Sequence, residues 1–454
     1  MYQRVLNNNL SRSRPFCLFG ARGVGKTTLI RDFAGKFSNS IHLDLETAVD
    51  RAIFNFNVSA EETLRAISFL KGKDIRGNGT LIVLDEICKC PEAIRWATMF
   101  MEERTSGGAE SRWPLVVAIS SILTKEMSIL INPENGIMQQ NHLFPFSFEE
   151  FLPVMDDPAA LEAFREVPVP YYAYEKLLNY FHLYSLIGGM PEIMGQYAAN
   201  RHLTGLKYIY EKIEKRFIDC LPDVTAGAKS RDLASEVLQN TYPYAATRIS
   251  LNRFGNLEKG SREIGQAFKA LERIFFLQMI LPVTSATLSL APDTSKFARL
   301  QMLDTGLVNY FSGIQKPLFQ SHDMNAIFEG QIARQVVGQE ILAVESQGTN
   351  IGKELNFWTR DKSQSTAEVD FVFPYNELLI PVVVRSGEPG RLRSLHQFLD
   401  AAPHAYAVRL YAGKLAIQQT RTIRGKKFFL LNLPYFLAGK IKDHLKGFIR
   451  LTNG

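Results

Sequence analysis

The feature that most constrains this chain of 454 residues is a glycine-rich motif near its start, G-A-R-G-V-G-K-T at residues 20–27. The motif fits the spacing G-x-x-x-x-G-K-[ST] without a mismatch. The apolar residues 16–19 predict a buried strand before it, and residues 28–34 predict a helix after it. A strand, a glycine loop and a helix form the context in which such a motif holds phosphates, because glycine lets backbone N–H groups point at the phosphate oxygens.

Each part of this motif has a predicted role in holding a nucleotide. The N-terminus of the helix adds partial positive charge to the loop. Lys26 would reach the β- and γ-phosphates, and the Thr27 hydroxyl would ligate Mg²⁺. The alternative is a glycine-rich turn with an exposed lysine, which the flanking strand and helix disfavour. The candidate nucleotide-binding residues are Gly20, Ala21, Arg22, Gly23, Val24, Gly25, Lys26, Thr27 and Thr28.

Residues 80–86 predict the second half of the same site, because a run of apolar residues ends there in two acids. A continuous apolar run is typical of a parallel strand that is buried on both faces. Asp85 would bind Mg²⁺ directly or through water, and Glu86 would orient or deprotonate the attacking water. Taken alone, the two acids would be read as surface residues at a strand end. Together with the glycine motif they predict ATP hydrolysis.

The next apolar run, residues 115–121, ends in Ser120 and Ser121. Either serine could contact the γ-phosphate or the water, and we assign Ser120 to the catalytic set with Lys26 and Glu86. It is equally open that the pair caps a helix predicted at residues 124–130. Strands that alternate with helices predict a doubly wound parallel sheet with its ligand at the carboxyl ends of the strands.

The patterns predict a multidomain α/β chain with four parts. Residues 1–157 form a P-loop αβα core with a parallel sheet, and residues 158–252 form a helical lid. Residues 253–315 suggest a winged-helix segment, because one amphipathic helix over residues 262–279 is followed by two strands. Residues 316–454 predict a C-terminal α/β domain.

Charge and cysteine content bear on partners and location. The net charge is +6, but residues 385–454 carry thirteen Lys and Arg against three Asp and Glu. This basic region could bind DNA, or it could be an ordinary solvated surface. The four cysteines, at positions 17, 88, 90 and 220, form neither a metal-binding nor a disulfide pattern. No apolar run reaches membrane-spanning length, so the expected location is the cytoplasm, without membrane contact.

With these motifs placed, the chain resembles a prokaryotic family of AAA-superfamily ATPases that carry a C-terminal domain of unknown function. The resemblance implies an ATPase core, a helical lid, a winged-helix segment and a C-terminal domain similar to restriction endonucleases of the PD-(D/E)XK type. The nucleotide motifs predict ATP as substrate or ligand and Mg²⁺ as cofactor, and self-association is left open as a further expectation. The markers of the resemblance are residues 20–27, 84–87, 143–152, 188–192, 303–307 and 368–372.

One departure from the family pattern concerns nuclease activity. Relatives often carry Asp and, about a dozen residues later, Glu-x-Lys. In this chain Asp370 is present, but Val383 stands in place of the Glu and Arg385 in place of the Lys. Valine cannot hold Mg²⁺, and an arginine cannot act as a base because its guanidinium stays protonated in proteins. We therefore expect a relic nuclease site of Glu329, Asp370 and Arg385 that is structural or grips DNA.

A second departure concerns the rate of ATP hydrolysis. Many relatives have Gly-Arg before Leu143, and that arginine is a candidate finger for a neighbouring nucleotide; here the pair is Gly136-Ile137. An arginine finger contributes roughly 10³–10⁵ to phosphoryl transfer. We therefore expect slow hydrolysis unless another arginine, such as Arg104 or Arg112, substitutes. The functions left open are a slow ATPase coupled to DNA or protein binding, a nucleotide-gated DNA binder with little hydrolysis, and, least favoured, a DNA nuclease.

Overall fold

The structure is a computed structural model, and it describes ten stretches of the chain: residues 4–55, 58–75, 79–106, 113–130, 138–288, 290–320, 330–346, 355–361, 366–385 and 392–452. The strands are β1 Phe16–Phe19, β2 Asn39–Asp44, β3 Thr80–Asp85, β4 Leu115–Ser120, β5 Gln139–His142, β6 Leu277–Ile280, β7 Pro282–Val283, β8 Arg299–Met302, β9 Phe357–Thr359, β10 Glu368–Val369, β11 Phe371–Tyr375, β12 Leu378–Val384, β13 Tyr406–Tyr411, β14 Ala416–Arg421 and β15 Lys427–Pro434. The α-helices are α1 Lys26–Ala34, α2 Ala48–Ala52, α3 Ala60–Lys71, α4 Pro91–Ser106, α5 Phe148–Phe151, α6 Pro158–Arg165, α7 Tyr174–Ile187, α8 Pro191–Asn200, α9 Lys207–Cys220, α10 Ala228–Thr241, α11 Ser261–Arg273, α12 Thr305–Phe311, α13 Gln315–Gln320, α14 Gln331–Glu345, α15 Arg393–Ala401 and α16 Ile441–Thr452.

The first five strands form one sheet in the order β2-β3-β4-β1-β5, and every pair in it is parallel. Strands β1, β3 and β4 are buried along their whole length, which explains their continuous apolar sequences. Alternate residues of these strands enter two separate apolar clusters, one beneath α1 and the other beneath α3 and α4. The predicted parallel α/β sheet is therefore confirmed, and the glycine loop follows its strand β1.

The region after this sheet is helical from α6 to α10, as the sequence predicted. The helix predicted over residues 262–279 is shorter than expected, since α11 ends at Arg273. Phe275 adopts a left-handed φ of 58°, and the Phe276 N–H bonds back to the Leu271 carbonyl at 3.0 Å. This hydrogen bond closes the helix end, and the rest of the predicted helix lies in β6, which pairs antiparallel with β8.

The C-terminal region contains a mixed sheet in the order β11-β12-β13-β15-β14. Strands β12, β13 and β15 run parallel, whereas β11 and β14 are antiparallel to their neighbours. Strand β7 pairs with β9 of a small three-stranded sheet, so the segment predicted as a winged helix shares a sheet with the C-terminal region. The winged-helix and nuclease-like assignments stay predictions. Within the described residues, no helix has both the length and the apolar character that crossing a bilayer requires.

Three of the sequence markers meet at one buried junction, which we call the central junction. The Phe146 N–H bonds to the Gly189 carbonyl at 2.8 Å, and the Gly189 N–H bonds to the Asp304 carboxylate at 2.7 Å. Asp304 also accepts the Leu307 N–H at 3.1 Å and so caps α12. Burial raises the pKa of Asp304 to about 6. The junction therefore joins the parallel-sheet domain, the helical region and α12 through backbone groups.

Glu340 of α14 extends the central junction to the C-terminal region. Its Oε1 accepts the Tyr184 hydroxyl at 2.6 Å and the Phe148 N–H at 2.8 Å. The side chain is fully enclosed, and burial, with a contribution from the nearby charge of Glu150, raises the pKa of Glu340 to about 8. Glu340 therefore remains protonated in the folded protein at neutral pH.

Replacing Glu340 with glutamine is expected to change how stability depends on pH. The folded state holds a proton on Glu340 between the ordinary pKa of 4.5 and the raised value of about 8, whereas the unfolded chain releases it. The free energy of unfolding therefore falls as the pH rises through this window. Glutamine keeps a hydrogen-bond acceptor but cannot ionise. We expect calorimetry to show a steeper loss of melting temperature for the wild type than for Glu340→Gln between about pH 5 and about pH 9.

The control for that experiment is Glu345→Gln, on the same helix, where the carboxylate pairs with Lys442. This variant should keep the pH slope of the wild type. Equal slopes for the wild type and Glu340→Gln would show that the Glu340 carboxyl does not hold its proton.

Candidate nucleotide site

The glycine loop at residues 20–27 joins the carboxyl end of β1 to α1 in a conformation that requires its glycines. Gly23 and Gly25 have φ angles of 85° and 97°, in the left-handed region that other residues rarely adopt. A Cβ on Gly20 would lie 2.3 Å from the Leu143 carbonyl oxygen, so only a residue without a side chain fits there. The loop backbone is therefore held close to the chain segment that follows β5.

Lys26 is the first residue of α1, and its side chain turns back into the loop. Its Nζ donates hydrogen bonds to the carbonyl oxygens of Gly20 at 2.8 Å and Ala21 at 3.0 Å. Burial lowers the pKa of Lys26, while the charges of Glu86 and Asp85 oppose that shift. The lysine is thus a buried cation inside the loop, where the motif predicts phosphate oxygens.

Thr27 and Asp85, the two predicted magnesium ligands, are in direct contact. The Thr27 hydroxyl donates to Asp85 Oδ2 at 3.1 Å, and His42 Nε2 lies 3.0 Å from the same oxygen. Burial raises the pKa of Asp85, but the hydrogen bonds from His42 and Thr27 outweigh it and bring the pKa below its usual value. Within the described residues, the buried oxygen Oδ1 of Asp85 has no hydrogen-bond partner. An ionised carboxylate with an unused oxygen beside a threonine hydroxyl fits Mg²⁺.

Glu86 follows β3 with a left-handed φ of 51°. Its Oε2 accepts the Ser121 N–H at 3.0 Å and the Ser121 hydroxyl at 2.7 Å. The Ser120 hydroxyl, by contrast, is buried and donates to the Ile122 carbonyl at 2.6 Å. The structure therefore places Ser121, and not Ser120, against Glu86, because neighbouring residues of an extended strand point to opposite faces.

The helical region supplies a cation at the mouth of the loop. A Cβ on Gly23 would lie 3.0 Å from Arg216 Nη1 and 3.6 Å from Met190 Cε. Arg216 lies on α9 and pairs with Glu192 of α8, which also accepts Lys212 Nζ at 2.8 Å. No sequence signal marked Arg216, because α9 carries several basic residues with similar spacing.

Arg4 supports the loop from its buried side, and it too was missed in the sequence. Its guanidinium donates to the Val24 carbonyl and, at 3.0 Å, to the Phe144 carbonyl. It pairs with Glu150 at 2.9 Å and lies 3.8 Å from the centre of the Phe146 ring. Arg4 thus connects the nucleotide loop to the chain segment that enters the central junction.

The other predicted site residues lie around or away from the loop. Arg22 pairs with Glu46 on its exposed side, and Thr28 lies in the first turn of α1. Arg104 donates to the Ser13 carbonyl at 2.9 Å, before β1 and therefore at the end of the sheet opposite the loop. Asp370 and Arg385 lie 3.8 Å apart in the C-terminal region. The predicted residues Arg112, Ile137 and Glu329 fall outside the described residues.

Comparison with families of known proteins gives three matches that follow one another along the chain. Residues 12–152 match an AAA domain, residues 178–318 match a domain of unknown function (DUF8612), and residues 329–436 match another (DUF4143). The resemblance to AAA ATPases with a C-terminal domain of unknown function is confirmed to that extent. A comparison with curated proteins gave no match.

The chain also has distant likenesses among solved structures. The Aeropyrum pernix ORC1 protein in complex with DNA shares 12% identity over 67% of this chain and 87% of its own, with a TM-score of 0.32. The Aeropyrum pernix ORC2 protein in its ADP form shares 14% identity over 68% and 89%, with a TM-score of 0.26. A point variant of Thermotoga maritima RuvB shares 16% over 59% and 82%, with a TM-score of 0.25. Residues 12–152, which contain the glycine loop and the five-stranded parallel sheet, are thus similar to an AAA domain.

Proposed function

We propose that this protein binds ATP with Mg²⁺ in the glycine loop and hydrolyses it slowly, coupling the nucleotide state to DNA or protein binding. The observation that carries the proposal is the contact between Thr27 and Asp85. Their oxygens lie 3.1 Å apart, and within the described residues the second Asp85 carboxylate oxygen is buried without a partner. This is the donor set that a magnesium ion bound to nucleotide phosphates requires.

The neighbouring residues have distinct roles in this proposal. Loop N–H groups and Lys26 would hold the phosphates, so that Lys26 exchanges its bonds to backbone carbonyls for bonds to phosphate oxygens. Thr27 and Asp85 would hold Mg²⁺, which neutralises charge on the β- and γ-phosphates when it is bound. Glu86 would orient or deprotonate the attacking water, and Ser121 fixes the position of the Glu86 carboxylate.

Nucleotide binding at this site would also affect the helical region. Arg216 approaches the loop at Gly23 while its guanidinium pairs with Glu192. Phosphate oxygens would compete with Glu192 for the same guanidinium, so that nucleotide binding would favour a particular position of α8 and α9. This competition supports the lid role that the sequence predicts for residues 158–252.

A nucleotide-gated binder with little hydrolysis is the second candidate, and Ile137 at the expected arginine position favours it. A nuclease is disfavoured because Val383 is 4% exposed and belongs to an apolar cluster with residues of α15. A metal-binding carboxylate is thus replaced by a core side chain at that position.

The first test of this proposal is the affinity for ATP of Lys26→Ala. Hydrogen bonds to charged groups contribute roughly 1.5–3 kcal/mol, so we expect binding about tenfold to a hundredfold weaker than in the wild type. Isothermal titration calorimetry with and without Mg²⁺ measures this directly. Lys36→Ala, just beyond the end of the same helix, is the matched control and should bind as the wild type does. Undiminished binding by Lys26→Ala would rule out the loop as the phosphate site.

A further inference from the structure

Arginines surround the buried carboxylate of Asp370, directly before β11. Its Oδ2 accepts the Val384 N–H at 2.8 Å. Its Oδ1 lies 3.8 Å from Arg334 Nε and 3.8 Å from Arg385 Nη1. These are ion-pair distances and are too long for hydrogen bonds. Two guanidinium groups therefore converge on one oxygen atom, and that atom holds them near each other.

A second carboxylate, Glu368, extends this group of residues. Arg248 Nε lies 3.0 Å from one of its oxygens, and Arg299 Nη1 lies 3.4 Å from the other. Arg299 is fully buried and also donates to the Asp370 carbonyl at 2.7 Å, so its role is to hold the backbone. We call Arg248, Arg334 and Arg385 the arginine cluster, and Arg299 is its buried support. In the described part of the chain, two carboxylates form ion pairs with four guanidinium groups, that of Arg299 included.

The arginine cluster lies at the carboxyl end of the parallel strands, where open α/β sheets bind their ligands. Asp370 contacts the last residue of β12, and the Arg385 N–H bonds to the Leu410 carbonyl of β13 at 3.0 Å. The Ser394 hydroxyl, in the first turn of α15, accepts the Glu368 N–H at 3.1 Å. The first turn of a helix thus meets the cluster, and its N–H groups favour anions.

Unsatisfied polar atoms lie beside the cluster on the same sheet. Arg409 of β13 is in register with Val383 of β12, and Asn432 of β15 is in register with Arg409. Both side chains are more than nine-tenths buried, yet neither Arg409 Nε nor Asn432 Oδ1 has a hydrogen-bond partner in the described part of the chain. A buried polar atom without a hydrogen-bond partner destabilises the folded state, and a ligand or a water molecule can supply the missing hydrogen bond.

These residues suit an anion better than a catalytic metal. At this position the resemblance to nucleases calls for a carboxylate and a lysine, whereas the chain has Val383 and Arg385. Two guanidinium groups lie 3.8 Å from the Asp370 oxygen that a metal would need, and their positive charge opposes a cation there. Planar guanidinium groups match phosphate geometry and remain charged at any physiological pH.

We infer that the arginine cluster binds the phosphodiester backbone of duplex DNA without cutting it. This inference deepens the DNA-binding part of the proposed function, although it does not require that ATP binds. Further cations flank the cluster: Arg393 opens α15, and Lys296 donates to the carbonyl of Arg360, directly after β9. The side chains of Arg385 and Arg248 are 44% and 31% exposed, so they can reach phosphate groups, and contacts to the backbone alone are independent of base sequence.

The test is fluorescence anisotropy with the full-length protein and two labelled duplexes of unrelated sequence, over a series of salt concentrations and without nucleotide. Arg385→Gln, which removes the charge of a half-exposed side chain, should weaken binding severalfold and equally for both duplexes. It should also reduce the slope of log affinity against log salt by about one. Arg334→Gln should act in the same direction.

Arg424→Gln is the matched control, because Arg424 also forms a long ion pair, at 3.9 Å, with a carboxylate of the same domain but lies outside the cluster. It should bind both duplexes as the wild type does. Equal affinities of Arg385→Gln and Arg424→Gln would overturn the inference, as would undetectable binding at low salt or tighter binding to an RNA duplex of equal length. Cleavage of a plasmid with Mg²⁺ or Mn²⁺ that depends on Asp370 would overturn it as well.

The same measurements separate this inference from the proposed function. Lys26→Ala, measured without nucleotide, should bind DNA as the wild type does. If the wild type does not bind ATP, the proposed nucleotide site is contradicted, but the DNA result is unaffected. Failure of the cluster variants would contradict the DNA site and leave ATP binding untouched.

Discussion

Glu86→Gln is expected to lower the rate of ATP turnover by about 10²–10⁴ while it leaves the affinity for Mg²⁺–ATP nearly unchanged, since general-base catalysis contributes about that factor. The glutamine amide oxygen can still accept the two hydrogen bonds from Ser121 that fix the wild-type side chain. It carries no negative charge and cannot accept the proton of the attacking water. Phosphate release over several turnovers, beside calorimetric binding, measures both quantities.

Glu92→Gln is the control for this experiment. Glu92 lies in the first turn of α4, only six positions further along the chain, and its carboxylate is partly exposed and paired with Arg95 at 2.9 Å. Turnover should be unchanged there. If the wild type binds ATP but does not turn over, the candidate that remains is the nucleotide-gated binder. If Glu86→Gln hydrolyses ATP as fast as the wild type does, another residue positions the water.

The parts of the nucleotide site that sequence reasoning identified are those whose signal is local. The loop at residues 20–27 is a contiguous motif, and Asp85 and Glu86 end an apolar strand. The sequence could not decide between Ser120 and Ser121, because adjacent strand residues point to opposite faces and the sequence does not show which face meets Glu86. Arg4 and Arg216 reach the loop only through tertiary packing.

The same distinction applies to the fold. Continuous apolar runs predicted β1, β3 and β4, because a strand buried on both faces needs apolar residues at every position. The end of α11 was not predictable from spacing, since Phe275 and Phe276 continue the apolar pattern of the helix while the backbone turns away. Each sequence marker of the central junction was identified by itself, but the sequence did not predict that the markers are in contact. Their meeting depends on contacts between segments far apart in the chain, such as that between Gly189 and Asp304.

Helix α14 lies between the arginine cluster and the central junction, which in turn contacts the nucleotide loop. Arg334, near its start, belongs to the arginine cluster, and Glu340, less than two turns later, bonds to Tyr184 and Phe148 in the central junction. The junction reaches the nucleotide loop through Arg4 and Glu150. Helix α14 therefore contacts both the arginine cluster and the central junction, as coupling between nucleotide binding and DNA binding would require.

The central junction should be the least tolerant part of this structure, and Gly306→Ala tests it. Gly306 lies in α12, and a Cβ there would be 2.0 Å from the Ile187 carbonyl oxygen and 2.4 Å from its carbon. These are backbone atoms at the end of α7, so no side chain can rotate to make room. Overpacking a rigid site costs typically 1–3 kcal/mol and sometimes more, and we expect a loss of about 3 kcal/mol in the free energy of unfolding.

Gly447→Ala provides the matched comparison, because Gly447 lies in α16 and a Cβ there would meet nothing within 4 Å. Alanine is favoured over glycine within a helix by about 0.5–1 kcal/mol, so this variant should be slightly stabilised. One chemical change in two helices should thus give opposite shifts of the melting temperature. Gly306→Ala should also weaken ATP binding, because Leu143, three residues before Phe146 of the junction, lies against Gly20 of the loop, whereas Gly447→Ala should not. An unchanged or raised melting temperature of Gly306→Ala would show that α12 and α7 can separate without cost.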